Sequence, residues 1–146
     1  MRRPPEPQVQ PLFVAARDGF DSGWATVMAD GARTGGALGL VETVIPYGDS
    51  TSLHVHRDED EAFYVLDGAV DFVCGEERFR AERGALAYLP RGLPHTFLGV
   101  SEQPSRVLVM LLPGGLEEFF AQSDPARLSA ILHDHHVEVV GPPLSA

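Results

Sequence analysis

The run Ser52-Leu53-His54-Val55-His56 reads as a β-strand, and its alternation puts both histidines on one face and Leu53 and Val55 on the other. Two imidazoles two residues apart in a strand converge on one point. Beyond the acidic run Asp58-Glu59-Asp60, Glu61 opens another strand pattern, in which Glu61, Phe63 and Val65 share one face and Ala62, Tyr64 and Leu66 the other. A carboxylate among apolar neighbours needs a partner. Farther along, Leu89-Pro90-Arg91-Gly92-Leu93-Pro94-His95-Thr96-Phe97 places a third histidine at the start of a strand, directly after a Pro/Gly reversal.

Three imidazoles and one carboxylate suit a borderline divalent transition metal. His54, His56, Glu61 and His95 are therefore the candidate ligands for one ion per chain, with Fe, Ni, Mn, Co, Cu and Zn all compatible. Four protein ligands leave about two positions open on an octahedral ion, which suits catalysis better than a structural plug.

Outward from this region, short apolar or alternating runs broken by Gly, Pro and Asp predict an all-β sandwich or barrel. Strands are expected at 12–15, 23–30, 36–46, 52–57, 61–67, 69–75, 77–82, 86–90, 94–100 and 104–112. Asp67-Gly68 and Gly75-Glu76 supply the positive-φ residue that tight hairpins need. After Pro113-Gly114-Gly115 the period changes to three or four: Leu116, Phe119 and Phe120, then Leu128, Ile131 and Leu132. This predicts two short helices whose apolar stripes cover a surface or open edge of the β-structure. Val137, Val139 and Val140 read as a last strand. Residues 1–11, with Pro4, Pro5, Pro7 and Pro11, read as an extended arm, and residues 12–146 as a single domain.

A chain of 146 residues with 44% hydrophobic and 22% charged residues is ordinary globular material. Its formal net charge of -10 gives a surface that repels phosphate backbones and anionic lipids, so neither nucleic acid nor a membrane is expected as a partner. The start, Met1-Arg2-Arg3-Pro4-Pro5, lacks the apolar segment of a signal peptide, and a cytoplasmic protein is expected. Cys74, the one cysteine, shares a strand face with Val70 and Phe72 and reads as a small buried apolar residue.

The stretch Gly48 to Gly99 resembles the two motifs of the cupin superfamily. Gly48, His54, His56, Glu61 and Gly68 match the first, and Gly84, Pro90, Gly92 and His95 the second; Gly99 stands where the second motif usually ends in Asn. The length, the segment Gly115–Phe120 and the ending Val139–Leu144 look like single-domain, quercetin-dioxygenase-like cupins. The resemblance implies a double-stranded β-helix (jelly-roll) barrel followed by two short helices, a homodimer, and the four residues above as metal ligands. It further implies a small-molecule substrate and leaves three functions open: a quercetinase-like dioxygenase on an aromatic or enolic molecule, a redox-neutral lyase, isomerase or polyketide cyclase, and a non-catalytic ligand-binding protein. Glu61 is the candidate catalytic base.

Phe63, Phe97 and Met110 are the candidate substrate contacts, with Phe72, Trp24 and Met28 as further residues that line a pocket or fill the core. Tyr64 is expected outside the barrel. His133, His135 and His136 follow a helix, where cationic groups favour the negative end of the dipole. Asp58-Glu59-Asp60 is expected on a solvated loop.

Overall fold

The protein is described by a computed structural model covering residues 9–146. Its strands are β1 (Phe20–Asp21), β2 (Ala25–Ala29), β3 (Gly39–Ile45), β4 (Leu53–His56), β5 (Asp60–Asp67), β6 (Ala69–Cys74), β7 (Glu77–Glu82), β8 (Leu86–Leu89), β9 (His95–Gly99), β10 (Ser105–Leu112) and β11 (Val137–Gly141). Between β10 and β11 lie a 3₁₀ turn, Leu116–Ala121, and one α-helix, α1 (Pro125–Asp134). Two antiparallel sheets face each other, ordered β1-β2-β3-β10-β5-β8 and β11-β4-β9-β6-β7. This is the expected double-stranded β-helix with two short helices after the barrel.

Alternation explains the core. Along β10, Ser105, Val107, Val109 and Leu111 are buried while Arg106 is exposed. Val41 and Ile45 from β3, with Phe63 and Val65 from β5, complete the inner face of that sheet. Val70, Phe72 and Cys74 of β6 and Ala81 of β7 meet them from the other. Each large apolar side chain buried here contributes roughly 1.5–3 kcal/mol through the surface it removes from water. Cys74 lies in this core as expected, and burial, with the charge of Glu77 adding, pushes its thiol pKa up.

The hairpin turn at Gly68 has φ +92, and a Cβ there would run into the side chain of Ser105. Gly99 is required by close approach instead: a Cβ would collide with the carbonyl oxygen of Pro46. Its amide donates to Asp49 O at 3.0 Å, and its carbonyl accepts from the amide of Gly48 at 2.9 Å. Asn at this position could not keep the β9 end against the 46–49 turn.

The expected strand at 12–15 does not form. Those residues carry no strand assignment, and Phe13 is 89% exposed, because the short apolar run finds no sheet edge to pair with. Of the expected arm, residues 1–8 lie outside the described residues, and 9–11 have no regular secondary structure. Among the described residues no helix is long and apolar enough to cross a membrane.

On the outer face of β6, Asp71 is buried under the exposed side chains of Arg80, at 2.7 and 3.2 Å, and Arg78, at 3.3 Å. Hydrogen bonds from Arg80 outweigh burial and, with Arg78, hold the carboxyl below its ordinary pKa. A depressed carboxylate stabilises the fold above its unfolded pKa of about 3.9, and that contribution is lost as pH falls through the folded value. Asp71→Asn is therefore expected to cost about 1 kcal/mol at neutral pH, the exposed arginines limiting the effect. Urea unfolding at pH 7 and at pH 3 checks this: the difference from wild type should shrink at the lower pH, and an equal difference at both would refute the assignment.

Candidate metal centre

The cluster is assembled from both sheets. His54 and His56 lie on β4 and His95 on β9, where His54 and His95 are direct cross-strand partners. Glu61 enters from the opposing sheet, paired with Leu89 on β8 and Leu111 on β10. One donor atom from each of the four side chains lies within 4.8 Å of the others. Glu61 Oε2 is 2.9 Å from His56 Nε2 and 3.1 Å from His95 Nε2, and the Nε2 atoms of His54 and His56 are 3.1 Å apart.

Several features fit a divalent cation at this point. Two imidazole nitrogens brought to 3.1 Å repel as bare lone pairs and need a proton or a cation between them. His54 Nδ1–H donates to the Ser52 carbonyl at 2.6 Å, which fixes the tautomer and aims the Nε2 lone pair into the cluster. Burial lowers the pKa of His54 to about 4 against the opposing pull of that carbonyl, so it is neutral, the form that ligates. Burial would raise Glu61, yet the bonds from His56 and His95 prevail and hold it well below the usual carboxylate range. For His56 burial pulls down, while the hydrogen bond and charge of Glu61, with Glu59 adding, raise it overall. An anionic carboxylate facing three imidazoles is a donor set matched to one transition-metal ion.

The loop before β4 is held by Thr96, whose buried hydroxyl donates to the Thr51 carbonyl at 2.5 Å. This ties the residue just before Ser52, whose carbonyl orients His54, to the strand that carries His95. The cluster opens on a cavity of about 370 Å³, within the range of small-molecule pockets. Phe63, Phe97 and Trp24 line it. Met110 does not. Val109 and Leu111 face the cavity, and alternation turns Met110 to the other side of β10. Phe72 is core, fully buried beside Phe63, and Met28 is not among the lining residues.

The far wall comes from the segment after the barrel. Phe120 stacks on Trp24 with ring centroids 5.3 Å apart, Phe119 meets the same indole edge-on at 5.8 Å, and the Trp24 Nε1–H donates to the Gln122 carbonyl at 2.8 Å. Leu132 of α1 and Val137 and Val139 of β11 complete it. The stripe of Leu116, Phe119 and Phe120 was legible in the sequence as a cover for the barrel, but not as a pocket wall. Polar lining is sparse, with Thr43, Thr51 and Ser52 as its hydroxyls, and among the lining residues there is no arginine or lysine.

The solvated-loop expectation for Asp58-Glu59-Asp60 requires correction. Glu59 is 3% exposed, with its carboxylate paired to His135, while Asp60 opens β5 and accepts from the Arg91 side chain and amide. His135 and His136 therefore serve the acidic loop as partners rather than only ending the helix; His136 Nδ1 lies 2.7 Å from Asp58. Tyr64 points outward, as parity implied.

The protein family described as Cupin domain matches residues 41–111, which contain all four cluster residues. Quercetin 2,3-dioxygenase from Bacillus subtilis (strain 168) is 33% identical over 97 residues, covering 66% of this chain; the chain spans only 28% of that protein's length. Among solved structures, an uncharacterized conserved protein with a double-stranded β-helix domain from Klebsiella pneumoniae aligns with a TM-score of 0.54 at 17% identity, covering 73% of this chain and 84% of that one. A protein described as a predicted oxalate decarboxylase from Thermotoga maritima aligns with a TM-score of 0.56 at 20% identity, covering 61% and 78%. At these identities the structural likeness speaks for the fold alone.

Proposed function

The chain belongs to the cupin superfamily, and on that premise we propose that it is a metal-dependent enzyme, most concretely a quercetinase-like dioxygenase acting on a small aromatic or enolic molecule. His54, His56, Glu61 and His95 would hold one divalent transition-metal ion. The observation that carries the reading is the cavity: it opens directly on the donor cluster, is walled by aromatic rings, and offers no guanidinium or ammonium to an anionic substrate. Apart from the ion itself, the fixed side-chain charges of the lining are those of Asp49 and Glu61, both acidic, so a carboxylate- or phosphate-bearing molecule would find no cationic side chain to pair with. A neutral aromatic loses little by entering, and gains contact with the faces of Phe63, Phe97 and Phe120.

When bound, the ion would polarise the substrate's oxygen atoms and bring dioxygen beside them. The chain's own side chains do the rest. The aromatic walls orient a flat ring system and exclude water, which strengthens every charge interaction inside. Glu61 accepts the proton of a substrate hydroxyl at a carboxylate oxygen. Its low proton affinity arises from bonds donated by His56 and His95, so a carboxylate oxygen takes up a proton only when it is released from the ion as well as from those nitrogens.

The test is elemental analysis of anaerobically purified protein followed by oxygen uptake with a flavonol and, in parallel, with oxalate. About one redox-active ion per chain and oxygen consumption with the flavonol only is the expected result. One zinc ion with substrate turnover but no oxygen uptake would replace this reading with the redox-neutral lyase, isomerase or polyketide cyclase, in which the same ligands support a Lewis acid. Unaltered ligand recovered after tight binding would leave a binding protein.

A further inference from the structure

Glu59 is not one of the four converging residues, yet at 3% exposure it is buried as completely as His56, Glu61 and His95. It sits on the short connection that carries the chain from β4 in one sheet to β5 in the other. Its Oε1 is 2.9 Å from His135 Nδ1. Its Oε2 is buried and has no hydrogen-bond partner, and the same holds for His56 Nδ1, 3.9 Å away. Two orphaned and complementary buried atoms face each other at a distance that a small rotation of either side chain closes. Leaving both unpaired costs about 1–3 kcal/mol per group.

His56 turns Nε2 into the cluster, 2.9 Å from Glu61. An imidazole that ligates through Nε2 carries its proton on Nδ1, and that N–H needs an acceptor to hold the ring in place. His54 solves the same problem with the Ser52 carbonyl. For His56 the facing acceptor is Glu59 Oε2. The carboxylate is itself held from behind, because the connection is clasped to the corner between α1 and β11 by three successive pairs: Arg57 to Glu138 at 2.8 Å, Asp58 to His136 at 2.7 Å and Glu59 to His135.

We propose that Glu59, braced by His135, is a positioning residue for the metal centre: its carboxylate accepts from His56 Nδ1–H and sets the orientation of that ligand. The inference rests on reading the four-residue cluster as a metal site. It gives the C-terminal corner a role beyond covering the barrel, because β11 and the residues before it then help to set ligand geometry.

The experiment is competition between the metal-free full-length protein and a chromophoric chelator for Co(II), together with the visible spectrum of the Co(II) form, for wild type, Glu59→Ala, Glu59→Gln and His135→Ala. Wild type is expected to bind one Co(II). Glu59→Ala should bind it 10–100-fold more weakly with an altered d–d spectrum, and His135→Ala should shift both in the same direction by less. Glu59→Gln should recover most of the affinity, since its amide oxygen still accepts from His56 while its NH₂ faces His135. Thermal unfolding of the metal-free proteins separates stability from positioning. A lower midpoint with unchanged Co(II) affinity and spectrum in Glu59→Ala and His135→Ala would overturn the positioning role while leaving the metal site standing. Failure of the wild type to bind Co(II) would overturn both. Should Glu59→Ala not fold, His135→Ala, altered at a partly exposed side chain, decides between the same outcomes.

Discussion

Replacement of His95 by alanine is expected to abolish metal retention without unfolding the barrel. His95 is 2% exposed, pairs across β4 with His54 and across β6 with Cys74, and directs Nε2 at Glu61. Removing it deletes one of three imidazole donors and leaves Glu61 with a single strong donor, so the affinity loss should exceed the roughly 10–100-fold typical of changes that only perturb a ligand's orientation. Metal content after gel filtration should fall from about one ion per chain to well under a tenth, and His54→Ala should behave alike. The fold should survive, because His95 makes one side-chain hydrogen bond, to Glu61, while its Nδ1 is buried without a partner, and the pairing of β9 with β4 and β6 runs through the backbone.

Thermal unfolding with and without metal is the sharper readout. An ion that binds only the folded state stabilises it by about 2.7 kcal/mol at a hundred times its dissociation constant. The wild-type midpoint should therefore rise on adding metal, and the His95→Ala midpoint should not. Stoichiometric metal retained by a protein carrying both His54→Ala and His95→Ala would sink the ligand assignment.

Phe72→Ala should have the opposite signature, a large loss of stability with the ligands untouched. Phe72 is fully buried at the middle of β6, its ring 5.1 Å from that of Phe63 and 5.7 Å from that of Phe79. Truncating a buried phenylalanine costs about 3–5 kcal/mol, partly for lost transfer energy and partly for the cavity left behind. Against a typical total of about 5–15 kcal/mol this is a large fraction, and for a domain of this size it corresponds to a fall of roughly 10–20 °C in Tm. Phe72→Leu should lose much less. Calorimetry measures both, and a Phe72→Ala midpoint within about 3 °C of wild type would show that β6 does not anchor the two sheets as described.

Much of the candidate site could be read from the chain because its geometry is local. His54 and His56 share a face by strand parity alone, and Glu61 and His95 stand at spacings that motif resemblance picks out. Strand positions were legible for the same reason: β5, β6 and β7 form from period-two runs separated by turns at Gly68 and Gly75, and these signals lie within a few residues of the structure they specify. Where both faces of a strand are apolar, parity loses its meaning. Val107-Leu108-Val109-Met110-Leu111 reads equally well in either phase, and the register of β10 between β3 and β5 is what turns Met110 away from the cavity. The run at 12–15 shows the complementary failure, a strand pattern with no edge to join.

The local order of residues thus determined that the chain is all-β, that two histidines of one strand converge, and which carboxylate and third histidine could join them. Long-range pairing decided what surrounds them. β11 lies against β4 with Val137 opposite His56 and Val139 opposite His54, and this contact brings His135 to Glu59, 76 positions away in the chain. It also seats Leu132, Val137 and Val139 in the cavity wall beside Phe119 and Phe120. Nothing within a few residues of Glu59 marks it as buried. Its environment is a product of sheet order, and sheet order follows from which edges are left open after the barrel has closed.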